Sequence, residues 1–186
     1  MRAFAIAAVM LAGACASASS PVVGGFDYAP QYDFSEFYAA TDGKTFRVIV
    51  AGNPFPTLTP PEMQRRLLPV LQANRPRPRL TFTYDPPAEP QHPDYRLVLV
   101  FDAANDLGAA RVCGGETRHQ PQPQPGRVTV FAVYCRNDQV LSQAVASTPA
   151  TSLDDARVGQ MFRQLFLVVF TDSPMVNRPR APFMRF

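Results

Sequence analysis

The densest repeat of one reactive type in this chain is Asn74-Arg75-Pro76-Arg77-Pro78-Arg79, in which arginine alternates with proline, and Asn177-Arg178-Pro179-Arg180, with Arg185 beyond, repeats it near the C-terminus. Proline holds such a segment extended, so side chains two apart lie on roughly one side and form a short comb of guanidinium groups suited to phosphate or carboxylate. Arg75, Arg77, Arg79, Arg178 and Arg180 are therefore the candidate contacts to an anionic surface; the plain alternative is a solvated linker and tail. Residues for acid–base chemistry are sparse. His92 and His119 both lie in Pro-rich segments, with no nucleophile or carboxylate at motif spacing. The adjacent acids Asp154 and Asp155 belong to the first turn of an expected helix, where they complement the macrodipole. The chain has no G-x-S-x-G, H-E-x-x-H, G-x-x-x-x-G-K-[ST] or G-x-G-x-x-G motif. No catalytic residue and no cofactor is assigned.

The N-terminus carries a different chemistry. Met1-Arg2 supplies one positive charge, and Ala3 to Ala14 form an uncharged, mostly apolar run. A membrane-spanning helix needs ~20 apolar residues, so this shorter run, which passes into serines and Pro21, reads as a cleavable signal peptide. Small residues close it: Ala14-Cys15-Ala16 and Ala16-Ser17-Ala18 satisfy the ordinary A-x-A rule. Leu11-Ala12-Gly13-Ala14-Cys15 also resembles the bacterial lipobox, in which Cys15 becomes the mature N-terminus and carries acyl chains such as palmitate. Ala12 stands where a lipobox prefers a larger aliphatic residue, and ordinary secretory cleavage is the competing reading. With Ala16 rather than Asp after the cysteine, the rule of enteric bacteria directs such a lipoprotein to the outer membrane.

Cysteine arithmetic follows from that assignment. Of the three cysteines, Cys15 is set aside for lipid, and Cys113 and Cys135 remain as a pair. In an oxidising periplasm an even pair forms a disulfide. Two sulfurs without a His or third Cys at ligand spacing cannot complete a zinc tetrahedron.

Composition bounds the rest. Residues 1–14 are the signal, 15–34 a lipidated tether without periodicity, 35–172 a single domain and 173–186 a Pro/Arg-rich tail. The formal net charge of +3 is too small to point to nucleic acid. Twenty prolines and no tryptophan mark long irregular connections between the structured segments.

Those segments must position any site. Phe37-Tyr38-Ala39 and Phe46 to Val50 flank Thr41-Asp42-Gly43-Lys44 and predict a hairpin, since Asp-Gly tolerates positive φ. Thr59-Pro60-Pro61-Glu62 opens a helix as a capping box, with Met63, Leu67, Val70 and Leu71 on one face and Pro69 set to kink or shorten it. Leu80 to Tyr84 alternate as a half-exposed strand, and Tyr95 to Phe101 are apolar on both faces, as in a central strand. Val128 to Tyr134 and Val140 to Val145 form a second hairpin about Arg136-Asn137-Asp138-Gln139. Ser152-Leu153-Asp154-Asp155 is another capping box, ahead of Val158, Met161, Phe162, Leu165, Phe166 and Val169 at helical spacing. Gln120 to Pro125 predict a polyproline II spacer. The expected fold is α+β in two layers, a largely antiparallel sheet with two helices on one face.

The leader ending in Ala12-Gly13-Ala14-Cys15, the run Tyr95 to Phe101 before Cys113, and Val130 to Cys135 followed by Arg136-Asn137-Asp138 resemble small bacterial envelope lipoproteins known only as uncharacterised proteins. The resemblance implies envelope location and no activity, and carries over no functional residue. The sequence thus predicts a non-enzymatic, periplasm-facing envelope lipoprotein with a structural or binding role, held to the membrane by its lipid anchor and touching anionic lipid head groups or an envelope protein. The alternative is an envelope hydrolase or small-ligand-binding protein whose site is assembled from sequence-distant residues.

Overall fold

A computed structural model describes residues 20–86, 93–122 and 124–174. Cys15, His92, Arg178 and Arg180, with the leader and most of the tail, lie outside the described residues. The elements run β1 (Val22–Tyr28), α1 (Phe34–Thr41), β2 (Thr45–Ala51), α2 (Pro60–Ala73), β3 (Thr81–Thr83), β4 (Tyr95–Phe101), α3 (Ala109–Cys113), β5 (Arg127–Arg136), β6 (Gln139–Pro149) and α4 (Ala156–Val169). The strands form one sheet in the order β1-β6-β5-β4-β2-β3. β1 with β6, β6 with β5 and β5 with β4 are antiparallel, and β2 pairs parallel with both β4 and β3. The fold is α+β, with a mostly antiparallel sheet, as the element pattern predicted.

The strand β4 is central because both of its faces are buried. Leu97, Leu99 and Phe101 enter the main core with Met63, Leu67 and Leu71 of α2 and Phe162, Leu165 and Phe166 of α4. Val98 and Val100 face the other way, where Val112 and Cys113 of α3 cover them beside Phe131 and Val133. The two expected helices therefore share one face. They are joined there by α1, whose Phe37 stacks on Phe170 with centroids 4.3 Å apart, and the short α3 adds a partial layer on the opposite face.

Four sequence expectations give way to the structure. Residues 22–34 are not tether: β1 adds the edge strand on β6, with a register shift between Gly24 and Asp27. That bulge, and the mostly exposed side chains of the strand, remove the alternation by which a strand is read. The first hairpin is absent. Its first arm is the helix α1, started by Asp33, whose side chain accepts from the Ser35 N–H at 2.7 Å, and Phe37 and Thr41 form its buried side. Asp42-Gly43 is instead the turn from α1 into β2, with Gly43 at φ 71°. In α2, Thr59 is the N-cap without a side-chain bond, and Glu62 pairs with Arg66 at 2.8 Å rather than closing a box. Pro69 does not end that helix; the carbonyl that its ring leaves unbonded belongs to Arg65, on the exposed side where water can take it. Lastly, α4 is capped by Asp155 and not Ser152.

The second hairpin forms as expected, and Asn137 takes the positive φ, 53°, at its turn. Asparagine is among the residues that tolerate this region.

Candidate functional site

The arginine comb occupies the turn between α2 and β3, and its two ends are held by side chains. At the helix end, Asn74 Nδ2 donates to the Val70 carbonyl at 2.9 Å and Arg75 Nη1 to the Gln72 carbonyl at 3.3 Å. At the strand end, the Arg79 N–H donates to Asp42 Oδ1 at 3.1 Å and the Gly43 N–H to the Arg79 carbonyl at 2.7 Å. Gln72 fastens the start of the next strand: its Nε2 donates to the Leu80 carbonyl at 3.0 Å and its Oε1 accepts from the Phe82 N–H at 2.8 Å. Between these anchors Arg75, Arg77 and Arg79 are exposed, whereas Pro76 is half-buried and Pro78 buried. The prolines are the less exposed members and the arginines the exposed ones, but the segment is not the extended chain that the sequence predicted: it bends at Arg77 and Pro78, and the peptide bond between them is cis.

Two clefts meet at this comb. One, of about 450 Å³, has Arg75, Arg77 and Arg163 at its rim and Tyr38, Phe166 and Leu167 among its walls. The second, of about 480 Å³, shares Tyr38, Arg75, Pro76 and Arg77 and adds Asp42 and Arg79. Tyr38 and Leu167 are exposed at 46% and 66%, so a basic rim borders an apolar surface. Elsewhere Arg66, Arg96, Arg118, Arg136 and Arg157 are tied to carboxylates. Among the described residues, Arg75, Arg77, Arg79 and Arg163 form no ion pair. Arg163 reaches Asn74 Oδ1, at 3.4 Å. Positive charge at the comb is thus available to a ligand, which is the electrostatic requirement for binding an anion.

Cys113 ends α3 and Cys135 sits near the end of β5, and the two are bonded with their Cα atoms 5.6 Å apart. Arg96 reinforces the junction, with Nη2 donating to the Cys113 carbonyl at 2.6 Å while Nη1 pairs with Asp94 at 2.7 Å. The bridge fixes α3 and the loop behind it onto the outer face of the sheet, a structural role.

The acid pair does not form a reactive centre. Asp155 accepts from the Arg157 N–H at 2.9 Å and from its guanidinium at 2.6 Å, and these bonds, the guanidinium first, hold its carboxyl down to about 2. A carboxylate ionised at neutral pH and bonded in this way serves as a helix cap. It lies before the helix rather than within the first turn.

His119 is exposed, with Nδ1 3.3 Å from the Thr117 carbonyl, and its strand-like bridge to Ala103 brings it near Asp102. Sequence pattern does not single out Asp102, which looks like the residue where an apolar run stops. It is 9% exposed, takes φ 46°, and burial raises its carboxyl above the ordinary range while the His119 charge partly opposes this. Among the described residues, no cluster of three His, Cys, Asp or Glu stands ready to hold a metal ion.

No protein-family model matches the chain, and no curated protein matches it. Among solved structures it is similar to the PelC dodecamer from Paraburkholderia phytofirmans in space group P6, at 14% identity and a TM-score of 0.44, over 83% of this chain and 99% of that one. A substituted form of the same dodecamer in space group C2 gives 13% identity and a TM-score of 0.41 over the same shares. Likeness at this level says nothing of what the chain does.

Proposed function

We propose that the chain is a non-enzymatic lipoprotein of the bacterial cell envelope, anchored through acylated Cys15 in the periplasm-facing leaflet, preferably of the outer membrane, and that its domain contacts anionic lipid head groups through Arg75, Arg77 and Arg79. The observation that carries this reading is the pair of clefts that share Tyr38, Arg75, Pro76 and Arg77. Three guanidinium groups with no carboxylate partner among the described residues stand beside exposed Tyr38 and Leu167, the combination of charge and apolar surface that an interface between water and lipid rewards. Arg163 extends the basic rim from α4, and Arg178 and Arg180 would add charge from the tail. An anchored domain is already within reach of head groups, so each arginine need add only about 1 kcal/mol.

A photoactivatable residue in place of Leu167, in intact cells, tests the contact. Crosslinking to phospholipid is the expected outcome, and labelling of water or a single protein alone overturns it. A fatty-acid analogue should label the wild type and leave Cys15→Ser unlabelled; equal labelling of both removes the lipobox reading.

A further inference from the structure

On the opposite side of the sheet, at the end of β4, lies a third cleft, of about 450 Å³, whose chemistry is the inverse of the arginine site. Its polar lining is Asp102, Thr129 and the amides of Asn105, Gln120, Gln122 and Gln124, with Phe131 on one wall. Among the described residues, no Arg, Lys or His lines it. The cations nearby are engaged elsewhere: Arg127 Nη1 donates to Ser147 Oγ at 3.1 Å, and Arg118 is held by Asp106 at 2.9 Å and by Glu116. His119 turns its Nδ1 toward the Thr117 carbonyl.

Asp102 is the unusual member. Its backbone is fixed from both sides, the N–H donating to the Thr129 carbonyl at 3.0 Å and the carbonyl accepting from the Gln120 N–H at 2.8 Å. That clamp holds a residue other than glycine at φ 46°, a conformation that aspartate tolerates at some cost. Oδ2 is buried and, among the described residues, receives no hydrogen bond. A buried acceptor without a donor is destabilising, and more so when ionised. Strain and an unsatisfied carboxylate at one clamped residue beside an open cleft describe an acceptor that is prepared for a donor from outside.

We propose that this cleft binds a small organic ammonium group, with Asp102 Oδ2 accepting its N–H. A cation satisfies the lone acceptor and restores a counter-charge, which a neutral hydroxyl does less well. The amide oxygens of the Asn and Gln side chains and the Thr129 hydroxyl can accept the remaining ammonium protons. Phe131 adds an aromatic ring to the lining, a kind of group that an alkylammonium prefers. An anion finds no cationic partner among the described lining residues and is repelled by Asp102. This site is independent of the arginine comb, and neither reading needs the other.

The test is a titration of the purified full-length chain with n-butylammonium chloride, followed by amide and side-chain NMR shifts, with n-butanol as the neutral comparator. Saturable shifts should appear at Asp102, Asn105, Gln120 and Thr129, with n-butanol at least about tenfold weaker. Asp102→Asn removes the charge and keeps the volume and the tolerance of positive φ. Asp102→Gly adopts the same φ without strain, so a folded variant lacking the carboxylate is available in either case. Both variants should bind at least about tenfold more weakly. The proposal is overturned if n-butylammonium causes no local shifts in the wild type, if n-butanol binds equally, or if either folded variant binds as the wild type does.

Discussion

The hydroxyl of Tyr28 donates to the carbonyl of Val168 at 2.8 Å, tying the edge strand β1 to the last turn of α4 across most of the chain. Tyr32 does the same for the Thr171 carbonyl at 2.6 Å, and Ser142 for that of Val169 at 2.6 Å. A helix leaves its last four carbonyls without partners of its own, and here hydroxyls serve two of them, Val168 and Val169, while Tyr32 holds Thr171 just beyond the cap. The same turn carries Leu167 and leads to Phe170, both of which line the arginine cleft. Tyr28→Phe should lower stability by about 1 kcal/mol, seen as a lower denaturant midpoint with unchanged slope. Removal of residues 20–33 should unfold the domain, whereas loss of a mere tether would leave the midpoint where it was.

Gln72 completes the other sheet edge. Because its amide takes both the Leu80 carbonyl and the Phe82 N–H, Gln72→Leu leaves two backbone groups unbonded at a place that it still fills. A destabilisation of about 1–3 kcal/mol is expected, together with faster amide exchange at Phe82 and a weaker arginine site. Retained exchange protection at Phe82 would show that the clamp contributes little.

The bridge from Cys113 to Cys135, residues 22 apart in sequence, closes a loop whose cross-link is worth about 3 kcal/mol by the chain-entropy argument. Reduction, or Cys113→Ser with Cys135→Ser, should lower the denaturant midpoint accordingly. Thiol titration of denatured protein should find neither sulfur until reductant is added.

The Asp155 cap predicts a pH dependence of definite sign. Its carboxyl is held at about 2, below its ordinary 3.8, so the stabilisation is fully present above the ordinary value and is lost as pH falls toward 2. Asp155→Ala should cost about 1 kcal/mol at neutral pH. The gap in melting temperature from the wild type should close as pH falls from 4 to 2, and a constant gap would contradict the assignment.

The parts of the fold legible in the sequence were runs with one dominant cause. The run from Tyr95 to Phe101 could only be a central strand, and the turn about Asn137 announced the hairpin of β5 and β6. The exposure of the three arginines was legible in their alternation with proline, but the bend at Arg77 and Pro78 was not. The apolar walls beside them were not legible either, since Tyr38 comes from a segment whose Asp-Gly suggested a hairpin and Leu167 from the far end of the chain. β1 hid behind its bulge and exposed side chains. Asp102 gave no sign at all, because its burial and positive φ arise from clamping by Thr129 and Gln120, contacts that only the fold creates.

The central claim is that Arg75, Arg77 and Arg79 meet an anionic lipid surface, and partition to vesicles tests it most directly. The mature chain from residue 15, carrying Cys15→Ser so that neither leader nor lipid anchor contributes, is mixed with phosphatidylglycerol vesicles and with phosphatidylcholine vesicles. The wild-type comb should bind the former at low ionic strength, release as salt brings the Debye length to ~10 Å or less, and ignore the latter. Changing all three arginines to Gln should weaken binding by at least about tenfold. Equal binding by the triple variant, or no binding by either protein, would contradict the account.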